Sequence, residues 1–234
     1  MLPETVEKAI GSLLTVVRSG RRANGLFRLM KSPSLWDQAY LKVAANKGAM
    51  TPGIDGRTFD GYSPEKVRSI IARLSGGSYK PAAVRRVLIP KSDGRMRPLG
   101  IPTTEDRLVQ EVVRIVLNQI YEPIFDDASH GFREGRSCHT ALKTIGAVWT
   151  GVKWLVDVDV VSFFDNIDHA VLLRLLEKRI GDRRFIALIR GMLKAGYLED
   201  WRFHRTLSGT PQGGVVSPLL ANIYLHELDE WMRG

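Results

Sequence analysis

The chain has 234 residues, with 34 Lys and Arg against 25 Asp and Glu, a formal charge of +9 and a pI near 9.8. A composition 44% hydrophobic and 25% charged is that of a folded globular protein and excludes collagen-like or wholly disordered chains. The single cysteine, Cys138, excludes a disulfide scaffold and a multi-cysteine zinc module; no apolar run approaches membrane-spanning length, and the acid-bearing N-terminus is no secretory signal.

These features give the expectation of an intracellular protein with no membrane role. The charge is uneven. Residues 1–117 carry 20 Lys and Arg against 10 Asp and Glu, and residues 118–234 carry 14 against 15. The excess is densest at Arg18, Arg21, Arg22, Arg28 and Lys31, and again from Lys66 to Arg97, a stretch that includes Arg85 and Arg86. Such asymmetry suits a polyanion on the basic side, although solvated basic helices would give the same composition.

Taken in order, residues 4–19 and 35–47 read as helices, separated by a basic, turn-rich stretch from Gly20 to Pro33. Thr51-Pro52-Gly53-Ile54-Asp55-Gly56 is a turn cluster. A helix fits Pro64 to Leu74, with Pro at its first turn and Gly76-Gly77 as its stop. Val84 to Pro90 and Arg97 to Ile101 read as two strands of a hairpin around Ser92-Asp93-Gly94. Thr103 or Thr104 caps a helix with Leu108, Val112, Ile115, Val116 and Ile120 at helical spacing, and another helix fits Cys138 to Trp149, with Cys138 a small packed residue near its start.

Trp154 to Val161 has the strongest strand pattern, valines alternating with Asp157 and Asp159. Two carboxylates two residues apart share a strand face, and a divalent cation would offset the cost of bringing them together. Asp168 caps a helix bearing Val171, Leu172, Leu175, Leu176 and Ile180, and Arg183 to Leu193 forms another. Trp201 to Arg205 fits a strand. Ser217 is expected as the N-cap of a last helix that turns Leu219, Leu220, Ile223, Tyr224, Leu228 and Trp231 inward. This is an α+β chain.

Three stretches carry chemistry: the hairpin from Ile89 to Thr103, the acidic strand running into Phe163-Phe164-Asp165-Asn166-Ile167-Asp168-His169, and the segment from Ser208 to Asn222 with Gly213-Gly214 before a helix. In this order, with the Gly48–Gly56 block, His130-Gly131-Phe132-Arg133 and Arg136–Ala141, the sequence resembles group II intron-encoded reverse transcriptase/maturases over nearly its whole length. The resemblance implies right-hand polymerase fingers and an incomplete palm behind a helical N-terminal extension. Its divisions are residues 1–63 (RNA-binding extension), 64–152 (fingers) and 153–234 (first part of the palm).

By position, the resemblance makes Asp159 the first catalytic aspartate and a metal ligand, with the Val160 carbonyl beside it. It places Phe164 as a gate against a ribose 2′-OH, Lys91 and Arg97 on the incoming triphosphate, and Gln212 and Gly213 in the nucleotide-pocket loop. Asp157 has no such role. The implied reaction is two-metal (Mg²⁺) nucleotidyl transfer from a dNTP to a DNA primer on an RNA template. The basic residues Arg18, Arg21, Arg22, Arg28, Lys31, Arg85 and Arg86 are expected to hold template and intron RNA.

The family's Tyr-Ala-Asp-Asp block does not occur in these 234 residues. The expectation is therefore a portion of an active enzyme, one half of a split enzyme, or an RNA-binding splicing module without catalysis. In each case this polypeptide alone is expected to be inactive as a polymerase. The strand Trp154–Asp159 is expected to leave an unpaired apolar edge that drives self-association or binds a second chain.

Overall fold

A computed structural model describes residues 4–60, 62–90, 94–200, 202–210 and 213–234. Helices α1 (Glu4–Arg18), α2 (Leu26–Leu29), α3 (Pro33–Ala44) and α4 (Pro64–Gly76) precede a hairpin of β1 (Val84–Pro90) and β2 (Met96–Ile101). Helices α5 (Thr104–Tyr121), α6 (Cys138–Val148), α7 (Phe163–Asn166), α8 (His169–Arg179) and α9 (Arg183–Leu193) follow. Strands β3 (Tyr197–Glu199) and β4 (Arg202–His204) lead into α10 (Ser217–Arg233). The sheet order is β2-β1-β3-β4, antiparallel except for the parallel β1–β3 pair.

Local chemistry explains several helix starts. Thr103, rather than Thr104, caps α5 by accepting from Asp106 N at 3.1 Å. Ser137 and Thr140 form a capping box on α6, Asp168 accepts from Val171 N at 2.8 Å, and Asp182 accepts from Arg184 N and Phe185 N. The last helix starts on Ser217 itself, one residue earlier than an N-cap serine would allow, with Val216 at the cap.

Helix α5 is the spine, buried along most of its length and packed against α1, α3 and α10. One apolar core runs from Val6 on α1 to Ile223 on α10 and takes in residues on both sides of positions 63/64 and 152/153. Within it, the fully buried Trp36 donates its indole N–H to Met30 O at 2.7 Å.

Three further expectations fail. Residues 152–160 enter no strand among the described residues, and Trp154 (87% exposed), Val156 and Val158 lie in solvent. A β-forming pattern needs a neighbour to pair with, and here it finds none. Cys138 is exposed rather than packed. The C-terminal part of α10 turns outward, leaving Leu228 and Trp231 exposed where an inward face was expected.

Candidate nucleotide-binding site

The 205–214 segment lies against two parts of the chain that are remote in sequence. At Gly209 the backbone has φ +83°, and a Cβ there would stand 2.7 Å from both Phe164 O and Asp165 O. Only glycine permits this approach. Hydrogen bonds from Gly209 N to Ile167 O (2.7 Å) and from Thr210 N to Phe164 O (2.8 Å) fix it. His169, buried at the start of α8, donates from Nε2 to Gly209 O at 2.6 Å.

Four residues on, Gly213 (φ +103°) meets the hairpin. A Cβ there would fall 2.6 Å from Gly100 O and 2.7 Å from Leu99 Cδ1. Gln110 of α5 accepts from Val215 N at 2.8 Å and holds the far end of the segment. The hairpin, the Phe163–His169 stretch and the glycine loop, separate in sequence, thus meet at one place.

Strand parity orients the hairpin. Arg97, opposite Ile89, shares a face of β2 with Leu99 and therefore with Gly213, whereas Pro98 and Gly100 face the other way. Arg97 is exposed. Phe164 is half-buried, edge-on to Phe163 (5.8 Å) and Phe132 (6.4 Å). Lys91 and Gln212 lie outside the described residues.

Asp159 and Val160 are exposed on the 152–160 stretch, which enters no strand among the described residues. Among the described residues, no three His, Cys, Asp or Glu side chains gather as a metal site. A pair of divalent ions needs several carboxylates, which these residues alone do not present.

The hairpin is anchored from behind. Arg107 donates to Pro102 O, Gly48 O, Ala49 O and Thr51 O. Arg85 donates to Pro52 O through Nε (3.1 Å) and Nη2 (2.9 Å), so its fork is engaged inside the fold. Asp106 accepts from Tyr79 OH (2.5 Å), Thr103 Oγ1 (2.7 Å) and Ala82 N (3.1 Å). Burial pushes its carboxyl above the usual range against those hydrogen bonds, and burial also raises the Tyr79 phenol. Within the His130–Arg133 block Arg133 is likewise internal, clasping Glu122 and the Asp126 and Ser129 carbonyls, whereas Gly131 and Phe132 are exposed.

The basic residues assemble across the two halves of the chain. Ala23 pairs with Ile180, Phe27 N donates to Asp182 Oδ2, and Arg184 lies 4.2 Å over the Phe27 ring. A groove of about 830 Å³ is lined by Arg21, Arg22, Arg28 and Lys31. It shares Arg22 with a hollow of about 400 Å³ that also holds Arg183, Arg190 and Glu177. Arg18 is exposed one turn before this groove.

Sequence reasoning missed Arg183 and Arg190, because averaging over the second half hid them. It also missed His169 and Gln110, whose roles depend on contacts no local pattern carries.

The reverse transcriptase (RNA-dependent DNA polymerase) family model matches residues 89–234. The chain belongs to the reverse transcriptase family. It is 54% identical over 208 residues to the group II intron-encoded protein LtrA of Lactococcus lactis subsp. cremoris, covering 88% of this chain and 35% of that protein. Protein YkfC of Escherichia coli (strain K12) is 37% identical over 220 residues, 91% of this chain and 58% of that one. The chain thus spans about a third of the Lactococcus protein's length. A solved partial Cas6-RT-Cas1--Cas2 complex shares the fold, with a TM-score of 0.60 at 24% identity over 91% of this chain and 36% of the matched one. Among the described residues no helix is long and apolar enough to cross a membrane.

Proposed function

We propose that this reverse transcriptase chain is the RNA- and triphosphate-holding part of an RNA-directed DNA polymerase that serves group II intron splicing and mobility. The reading is carried by the convergence of Gly213 on Leu99 and Gly100 with that of Gly209 on Phe164 and Asp165. Two backbones that approach this closely form a wall on which Arg97, with Lys91 and Gln212, would hold a dNTP, and Phe164 would gate its sugar. Residues 1–63 serve as the RNA-holding extension, 64–152 as fingers and 153–234 as palm, divided by role around a common core.

Asp159, with the Val160 carbonyl, is assigned as one ligand of a Mg²⁺ site that needs further carboxylates. The exposed stretch around Trp154–Val161 favours a completing polypeptide, either a second chain or a second copy. Purified alone with Mg²⁺, primer and RNA template, the 234-residue chain is expected not to extend the primer. Extension above background overturns that statement.

The main test is RNA binding against salt. Replacing Arg18, Arg21, Arg22 or Arg28 with Ala lowers the log–log slope by about 0.7–0.9 for each RNA phosphate that the variant no longer neutralises. An unchanged slope returns these side chains to the solvated surface and overturns the RNA-holding role.

A further inference from the structure

The backbone at Phe132 does not suit its side chain. Among the described residues three non-glycine positions have a positive φ: Phe132 (+56°), Ser162 (+50°) and Asp200 (+49°). Ser162 and Asp200 are small and polar, whereas a bulky aromatic residue in the left-handed region is an outlier. Burial does not explain it, because Phe132 is 72% exposed. A glycine would meet the backbone requirement without strain.

The turn is held from both sides. His130 Nδ1 lies 2.8 Å from Thr140 Oγ1 at the start of α6, and Asn222 Nδ2 on α10 donates to Gly131 O at 2.8 Å. On the other side, Arg133 is fastened to Glu122 and to the Asp126 and Ser129 carbonyls. Strain persists where surrounding contacts over-determine the backbone, and it clusters at working sites.

This conformation presents the Phe132 ring to Phe164. The two centroids are 6.4 Å apart with the planes at 84°. Phe164 is also edge-on to Phe163 (5.8 Å), which in turn meets Tyr224 of α10 (6.1 Å). Phe163 is the chain neighbour of Phe164, whereas Phe132 reaches it from a separate loop. The glycine loop fixes the Phe164 backbone, through Thr210 N on Phe164 O, and the two rings restrict its side chain. A steric gate rejects a hydroxyl only if its ring cannot swing aside.

We infer that Phe132 is a positioning residue for Phe164, a backstop that sets the preference for a deoxyribonucleoside over a ribonucleoside triphosphate; the inference rests on the reading of Phe164 as the sugar gate. Phe132 acts through Phe164 and not on the nucleotide. With the backstop removed, the Phe164 ring yields to a 2′-OH, so ribonucleotide binding tightens while deoxyribonucleotide binding is unchanged. General damage to the site would weaken both.

The test is calorimetric titration of the full chain, with Mg²⁺ and no primer, using dUTP and UTP, which differ only in the 2′-hydroxyl. The wild type is expected to favour dUTP, and Phe164→Val to bring the two affinities together. Phe132→Gly should narrow the preference about two- to tenfold, the size of one aromatic edge contact, by tighter UTP binding alone. Its thermal midpoint should be unchanged or higher, since glycine relieves the backbone. Phe132→Tyr keeps the ring edge and should keep the wild-type preference.

If Phe164→Val narrows the preference and Phe132→Gly does not, the backstop is overturned and the gate stands. Weaker binding of both nucleotides by Phe132→Gly, or a Phe132→Tyr preference matching that of the glycine variant, also overturns the backstop. A wild type that binds both nucleotides equally, or a Phe164→Val preference equal to wild type, removes the gate and the backstop with it. Absence of dUTP binding removes the triphosphate-holding role as well.

Discussion

The described residues of 205–214 and residues 149–162 are both irregular backbone, yet only the first are held against neighbouring elements. The first carries buried Gly209, Thr210 and Gly214, locked against β2, α7 and α8. The second is exposed at every position despite its valines. Sequence pattern suggests the reverse, since alternating valines promise a strand and a glycine run promises a surface loop. The contrast shows that regular pattern measures willingness to pair, whereas placement depends on whether a partner backbone is within reach.

The sharpest way to break this contrast is to add one methyl group on each side. Gly209→Ala forces a Cβ into the Phe164 and Asp165 carbonyls at a positive φ. It is expected to cost about 3 kcal/mol or more, read as a drop in chemical-denaturation midpoint. Gly151→Ala, also at positive φ (+74°) but with nothing within 4 Å, should cost only about 1 kcal/mol. Equal losses would mean that the 205–214 segment is not held against its neighbours in solution.

A second perturbation acts on the interlocked region through pH. Asp106→Asn leaves a side chain that still accepts from Ala82 N and can donate to the Tyr79 hydroxyl in place of accepting from it. Because burial raises the wild-type carboxyl, the charge is penalised in the fold. Wild-type stability relative to the Asn variant is therefore greatest below the ordinary carboxylate pKa and is lost as pH rises through the raised value. Melting midpoints of both proteins from pH 3 to 7 should show the difference drifting toward the variant; a flat difference would refute the shift.

The smallest effect belongs to the exposed stretch. Trp154→Ser with Val156→Ser should leave stability within about 0.5 kcal/mol while reducing concentration-dependent association in sedimentation. A large destabilisation would show that the stretch is packed after all.

The sequence revealed what is local. The caps at Thr103 and Asp168 mark helix starts because each is satisfied within three residues, and the starts expected at Cys138 and Arg183 follow the caps Ser137 and Asp182. The hairpin was legible from its strands, and the meeting of its motif with the glycine loop was legible from family resemblance. Strand β3 was not, since two of its three residues pair with a strand more than a hundred positions earlier.

Arg85 and Arg107 illustrate the same limit. The sequence reading set Arg85 with the RNA-facing cations, but its fork, like that of Arg107, holds carbonyls of the Gly48–Pro52 turn. Conversely, Arg183 and Arg190 join the basic groove only because Ala23 docks on Ile180.

The close approach at Gly213 has a mechanical meaning. With no side chain of its own between the loop and β2, there is nothing compressible to absorb relative movement. A tilt of β2 would be passed directly to the loop at residue 213. Through Gln110, which grips Val215 N, it then reaches the spine helix. The glycine therefore acts as a bearing surface rather than a hinge, and hairpin and loop travel as one lever.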